Sequence, residues 1–493
     1  MALGAFLRLD QITKEDLWLD EYSTLFLATG RANAIFQLPQ NQIIEHAPDV
    51  GFPGAPAWWH IWNGISTTSH PPLYHIVLRL WVDLLGDGDR SIRLMSTVFS
   101  LGCIVLLYIA VRDLSGDKLQ ALIASGLMAF APIEIYYSQQ VRPYTMIQFI
   151  ALAAAIVLIS IEKRGWSWLK LMALGVGVIA LALTHYFCAG LIAAFAVYSI
   201  IRFRRQDRIA VVWTIVGAAV IAATAWGSHV GDYSVSDYGR MAHRSLLHMI
   251  LSVPQRLTME SNHDPFVMAD NGPWPLVISL AVIAYLCPLL LLRRRPYLLF
   301  WWLWIAGAIG LVFVIDVARH STLLSISRYV IPAAPGVYAI LAVPLPGRIG
   351  KFSPWVILLG VLIFSVNYWQ TGPPDSPSVA TISNLVRREA LPSDVVIVTG
   401  NYYYVAGNKG PRLTYFAMAH YAGPWKGPVV FGGGAISDGV QLQLMRYRRV
   451  WVVGVDPGSD TRKILPGWEV HDIHGPGDSN LLWYVTPGRS RSL

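Results

Sequence analysis

Charge is scarce in this chain. Of its 493 residues only 14% are Asp, Glu, Lys or Arg, against about 25% in ordinary soluble domains. Hydrophobic residues make up 54%, and the mean hydropathy is +0.46. These values place the chain among integral membrane proteins. Cysteine is scarcer still: Cys103, Cys188 and Cys287 each lie inside an apolar segment, and none has metal-ligand spacing. They read as small buried hydrophobes, so no disulfide framework is expected. No His-Glu-x-x-His, Walker loop or Cys cluster occurs, which removes zinc proteases and nucleotide hydrolases. No secretory signal peptide is read at the amino terminus.

What the chain does have is long apolar runs and many aromatics. Its 19 Trp and 22 Tyr suit side chains that sit at a membrane interface. Segments near 91–111, 119–137, 145–161, 168–184, 186–201, 209–229, 273–292, 297–316, 328–346 and 353–369 are long enough to span. The pair at 168–201 is one apolar run broken at Thr184-His185-Tyr186-Phe187. The net charge of +8 does not indicate a nucleic-acid partner, because the basic residues occur in short runs between apolar segments.

Those runs orient the chain. Alternate loops hold Arg112/Lys118, Lys163/Arg164/Lys170, Arg202/Arg204/Arg205/Arg208, Arg293/Arg294/Arg295 and Arg348/Lys351. The intervening loops hold only Arg142, Arg240, Arg244, Arg256, Arg319 and Arg328. The positive-inside rule puts the first set in the cytoplasm. The amino-terminal segment, Arg142, His185, the loop 230–272, Arg328 and the carboxy-terminal tail are then expected outside. Residues 3–9 read as the outer end of a helix whose body is missing, so a start further upstream is expected.

The expected fold is a mostly α-helical polytopic membrane protein of about ten spans, with outer-face amphipathic helices and a small C-terminal α/β extracytoplasmic domain. Three regions are expected. Residues 1–90 form a first outer loop with interfacial helices, including a short amphipathic stretch at 73–85. Residues 91–370 form the multi-span domain. Residues 371–493 form the tail domain, after the linker Gly372-Pro373-Pro374-Asp375-Ser376-Pro377. There, β-like runs at 394–398, 429–431, 450–453 and 481–485 alternate with helix-like stretches at 378–390 and 435–447, an α/β pattern.

The polar residues of the outer face are few. Asp20-Glu21 is an acidic pair, and Asp20 suits a general base. Glu21 points elsewhere on a helix or strand, so the two need not share a role. Arg142, in Tyr136-Tyr137-Ser138-Gln139-Gln140-Val141-Arg142-Pro143-Tyr144, suits a phosphate because its planar fork donates two parallel hydrogen bonds. Glu134 is its candidate partner. Arg328-Tyr329 sits at another outer helix end, and charge at membrane depth tends to mark function. His70 and His185-Tyr186 complete the set. Asp87-Gly88-Asp89 mimics an Asp-x-Asp metal motif but reads better as a turn and helix cap. Gly432-Gly433-Gly434 reads as a plain turn.

Taken in order, Leu19-Asp20-Glu21, His70-Pro71-Pro72-Leu73-Tyr74, Arg90-Ser91-Ile92-Arg93-Leu94-Met95-Ser96, Tyr136 to Tyr144, and Arg328-Tyr329 with Pro332 resemble the C-type glycosyltransferase superfamily. The resemblance covers roughly residues 15–345. It lies closest to the branch of protein O-mannosyltransferases and bacterial aminoarabinose transferases. It implies an enzyme of a bacterial plasma (inner) membrane, with its active face and tail on the periplasmic or extracellular side. Its donor would be a polyprenyl-phosphate sugar, and its acceptor a glycan, lipid or protein. Catalytic roles fall on Asp20 and Glu21. Substrate binding falls on His70, Tyr137, Arg142, Tyr144, His185, Tyr186, Arg328 and Tyr329. Some members hold a divalent ion near the outer-loop acids. The resemblance leaves a divalent metal ion near Asp20 and Glu21 open in this chain, against which stand two departures: Ser69 where some relatives have a second acid, and His70 before the Pro-Pro pair. The family's first helix is expected to be absent. The competing classes are a transporter or flippase and a non-catalytic protein that binds polyprenyl lipids.

Overall fold

The computed structural model describes residues 1–66, 70–228, 253, 285, 296–371, 379–399, 410–432, 436–455, 465, 468–474 and 481–486. Apart from Val253 and Tyr285, the expected loop 230–272 and span 273–292 lie outside these residues, as do Gly433 and Gly434. The chain divides into two compact units. One comprises Met1–Ile12, Ser69–Tyr74 and Arg90–Pro374, and the other Thr13–Thr68, His75–Asp89 and Asp375–Leu493.

The first unit is helical. Helices Asp89–Ser115, Tyr144–Arg164, Arg205–Trp226 and Leu298–Arg319 are, among the described residues, long and apolar enough to cross a membrane. Trp168–Thr184 and Cys188–Arg202 are shorter apolar helices, and Ser353–Thr371 follows near the end of the unit. Local signals set their ends. The Asp117 carboxylate accepts the Leu119 and Gln120 amides at 2.8 and 3.1 Å and starts Lys118–Phe130. Gly165, at φ 73°, ends Tyr144–Arg164. Helices Cys188–Arg202 and Leu298–Arg319 cross with their backbones touching at Gly190 and Gly307, where a Cβ on either residue would strike the other's carbonyl oxygen. Small residues at such a crossing let membrane helices pack backbone to backbone.

Two expected spans are not continuous helices. The run 119–137 is two helices, Lys118–Phe130 and Pro132–Ser138, bent by 59°. Pro132 has no amide hydrogen, so the Met128 carbonyl loses its helical donor. The run 328–346 is the short helix Ser327–Val330, a 3-10 turn Ile331–Ala333 and the helix Ala334–Leu341. Pro332 and Pro335 interrupt it. Every residue from Leu323 to Val343 is buried. Irregular backbone at membrane depth survives only where protein encloses it.

The first break is mended by Arg8, which is fully buried at the end of the helix Ala2–Leu9. Its guanidinium donates to the carbonyls of Met128 at 3.0 Å, Ala129 at 2.7 Å and Gly4 at 3.0 Å, and to Ser100 Oγ at 2.8 Å.

The second unit holds a six-stranded sheet. Its strands are β1 (Ile43–Ile44), β2 (Val395–Thr399), β3 (Val429–Gly432), β4 (Val450–Val455), β5 (Glu469–His474) and β6 (Leu481–Thr486), in the order β1-β3-β2-β4-β6-β5. The central strands β3, β2 and β4 are parallel and the outer pairings antiparallel. All five residues of β2 are buried, as a central parallel strand of Val and Ile requires. Helices Val379–Glu389, Gly410–Ala422 and Asp438–Leu444 accompany the sheet. Thus the tail has the α/β pattern read from its sequence, with three additions, the first being the edge strand β5. β1 comes from the region 1–90, pairing Ile43 with Val430 and Ile44 with Val429. The helix Gly410–Ala422 was not foreseen, because it is buried almost all round from Gly410 to Met418 and shows no amphipathic stripe. The amphipathic stretch expected at 73–85 is the helix Leu73–Leu85, with Leu80, Leu84 and Leu85 exposed.

Replacing Arg8 by Met leaves the Met128 and Ala129 carbonyls buried without donors. The expected cost is about 3 kcal/mol, read as a lower unfolding temperature of the purified protein in detergent.

Candidate active site

In the membrane unit, an unbroken train of rings joins most of the predicted binding residues. Tyr137 lies edge-on between Tyr136 at 5.1 Å and Tyr144 at 5.0 Å, measured between ring centroids. Tyr144 is 6.5 Å from His185, His185 is 5.1 Å from Phe187, and Phe187 is 5.1 Å from Tyr329. The two arginines lie on this train. The Arg142 guanidinium is 5.7 Å from the Tyr144 ring and donates to its hydroxyl at 3.3 Å. The Arg328 guanidinium is 5.2 Å from the Tyr329 ring. A guanidinium on an aromatic face keeps its plane fixed while its N–H groups remain directed outward.

His185 sits in the gap between two helices, after Thr184 and before Cys188. The Phe187 amide donates to its Nδ1 at 3.2 Å, so in the neutral ring the proton is on Nε2. Burial pushes its pKa down to about 3, helped by the positive charges of His70, Arg142 and Arg328. His185 is therefore a neutral hydrogen-bond donor at ordinary pH, beside two guanidiniums. Tyr186 is tied to Trp226, whose Nε1 donates to its hydroxyl at 3.1 Å.

The segments carrying the arginines are fixed by groups that the sequence analysis passed over. Asp316, buried near the end of Leu298–Arg319, accepts from Ser321 Oγ at 2.5 Å and from the Leu323 and Leu324 amides at 2.8 and 2.9 Å. That turn leads directly into Arg328. Trp304 Nε1 donates to the Pro332 carbonyl at 2.8 Å, and Gln148 Nε2 to the Ile331 carbonyl at 3.1 Å. Gln148 also donates to Glu134 at 2.9 Å. Glu134, expected beside Arg142, is thus hydrogen-bonded to Gln148. One signal did point to Asp316: it is the single carboxylate in the apolar run 297–316.

Asp20 and Glu21 belong to the other unit, in the first turn of the helix Leu19–Ala28, where acids suit the helix dipole. Asp20 is half-buried, and its carbonyl accepts from Thr24 Oγ1 at 2.7 Å. Glu21 is fully buried, and its carboxylate accepts the Trp18 amide at 3.2 Å. Glu21 thereby closes the start of the helix that presents Asp20. Asp89 is bonded to His420 at 2.8 Å and to Tyr421 at 3.0 Å. Among the described residues, no group of three or more His, Cys, Asp or Glu is placed to hold a metal ion. Glu21 is engaged at the helix start, and the mechanism routes no step through a metal.

Residues 69–228 match the family model of dolichyl-phosphate-mannose-protein mannosyltransferases. No curated protein matches the chain in sequence. Among solved structures, the arabinofuranosyltransferase AftD from Mycobacteria superposes with a TM-score of 0.54 at 13% identity, covering 99% of this chain and 41% of that one. ArnT from Cupriavidus metallidurans gives 0.46 at 13% identity, over 98% and 96% of the two chains. The Archaeoglobus fulgidus oligosaccharyltransferase AglB, in complex with an inhibitory peptide and a dolichol-phosphate, gives 0.46 at 12%, over 100% and 74%. The matched family and these structures all belong to the C-type glycosyltransferase superfamily. This chain has the C-type fold, on the AftD likeness, and is an integral membrane protein. The resemblance read from its motifs is borne out at that level.

Two measurements probe this arrangement. Between pH about 6.5 and about 3 the unfolded chain holds more protons at His185 than the folded one, so stability from this group rises with pH across that window and is lost as pH falls through it. His185→Gln should show a smaller drop in unfolding temperature between about pH 7 and 5 than the wild type. Asp316→Asn places an amide against two backbone N–H donors. A loss of about 2 kcal/mol is expected, read as a lower unfolding temperature of the purified protein.

Proposed function

We propose that this protein is a membrane glycosyltransferase that moves a sugar from a polyprenyl-phosphate carrier to an acceptor hydroxyl at the outer membrane face. The observation that carries this reading is the aromatic train holding Arg142, neutral His185 and Arg328 in one cluster of a membrane unit. The family model matched at 69–228, by its description, uses a dolichyl-phosphate sugar. A prenyl tail explains why chemistry between polar groups runs in a membrane protein: the donor stays in the bilayer.

In this mechanism Asp20 takes the proton of the acceptor hydroxyl as its oxygen attacks the anomeric carbon. The bond from that carbon to the carrier phosphate breaks, and its electron pair leaves with the phosphate. Attack from the opposite face inverts the configuration. Arg142 and Arg328 stabilise the charge that grows on the leaving phosphate, and the Nε2–H of His185 donates to the same group. His70, Tyr137, Tyr144 and Tyr329 shape the donor site. Tyr186, held by Trp226, supports the loop that presents His185. Glu21 holds the helix start. The acceptor is a glycan, lipid or protein on the periplasmic or extracellular side of a bacterial plasma membrane.

The test is transfer of radiolabelled sugar from a panel of polyprenyl-phosphate sugars by purified protein. Asp20→Asn should lower turnover about 10³-fold with folding intact. Arg328→Lys should lower kcat/KM about 10²-fold, because a point charge cannot replace the planar fork. Carrier binding without turnover in the wild type would sink the enzymatic reading. Near-normal transfer by Asp20→Asn would remove that residue from the mechanism.

A further inference from the structure

Each of the three residues before the helix that presents Asp20 makes a hydrogen bond. Asp16 accepts the Ala380 amide at 2.9 Å, at the first turn of Val379–Glu389. The Leu17 amide donates to the Tyr421 hydroxyl at 3.0 Å. The Trp18 amide donates to Glu21 at 3.2 Å. The first two partners come from the tail, about four hundred residues away in the chain. Tyr421 is itself anchored, since its hydroxyl donates to Asp89 at 3.0 Å and the other oxygen of Asp89 is bonded to His420 Nε2 at 2.8 Å. The Tyr421 ring packs edge-on against Tyr22 at 6.3 Å, two residues past Asp20, and Phe416 contacts Phe26 at 5.4 Å. The helix start is thus suspended from two tail helices.

We propose that Tyr421, held by the Asp89–His420 pair, is a positioning residue for Asp20, so that the tail sets the aim of the catalytic carboxylate. This rests on the reading of Asp20 as the base. A base must keep its proton acceptor within a fraction of an ångström of the productive place, and small displacements are costly in rate. Tyr421 fixes the chain three residues before Asp20 and braces the helix one turn on. A simple packing contact would need no hydroxyl bonded on both sides. Tyr421 accepts from the segment to be held and donates to the anchor.

The experiment compares wild type, Asp20→Asn, Tyr421→Phe, His420→Phe and His420→Gln as full-length proteins, using the donor that the panel identifies. Tyr421→Phe should lower kcat about tenfold with donor KM and unfolding temperature unchanged, and it should shift the acidic limb of the kcat–pH profile. His420→Phe should do the same. His420→Gln, which keeps an N–H for Asp89, should recover most of the rate. If Tyr421→Phe does not fold, Asp16→Ala makes the same test at the Ala380 contact. Wild-type kcat in Tyr421→Phe or its substitute overturns the proposal while leaving Asp20 as base. So does a rate loss that only follows a loss of folded protein. Retained transfer by Asp20→Asn overturns the base reading itself, and the positioning role with it.

Discussion

A helix that breaks inside an apolar interior exposes backbone groups that no water can reach, and each must find a partner. The membrane unit depends on this constraint being met at two places. At Ala131–Pro132 the carbonyls freed by proline are taken up by the buried Arg8. Between Leu298–Arg319 and Ser327–Val330 the amides of the turn are gathered by the buried Asp316. Trp304 and Gln148 then hold the proline-interrupted segment that follows. Arg142 and Arg328 stand just beyond these mended breaks. Their placement is inherited from the side chains that mend those breaks.

The cluster they form has a clear electrostatic character. Burial keeps the His185 imidazole uncharged, and the positive charges of His70 and the two guanidiniums add to the effect. A protonated His185 would repel both arginines and would lose its backbone donor at Nδ1. The aromatic rings beside the arginines add an attraction worth about 0.5–2 kcal/mol per cation.

Much of this was legible in the sequence, because apolar length and loop charge are properties of segments. The helices at 91–111, 145–161, 209–229 and 297–316 follow from composition alone, and so do the Val-rich strands of the tail. The ordered motifs also pointed to the C-type fold. The breaks were less legible, since a proline within an apolar run marks a kink, a cap or an end with equal force. The ring train was not legible at all: Tyr144, His185 and Tyr329 lie on different segments, and no pattern in one sequence tells which aromatics meet. Asp316 could have been noticed as a lone carboxylate in an apolar run. Tyr421 could not, because its importance comes from pairing with Leu17 and Asp89, far off in the chain. Glu21 could be read as an acid beside a candidate base, but its bond to the Trp18 amide at the helix start could not, because that depends on the local backbone.

The two-residue strand β1 has a consequence in time. Ile43 and Ile44 pair with Val430 and Val429, so the edge they complete does not exist until nearly the whole chain has been made. At about 5–20 residues per second, the acid-bearing segment waits on the order of twenty seconds to over a minute for its sheet partner. All the membrane helices emerge in that interval. The unit that carries Asp20 is then the last part of the molecule to fold, and a chain interrupted during synthesis stops short of assembling it.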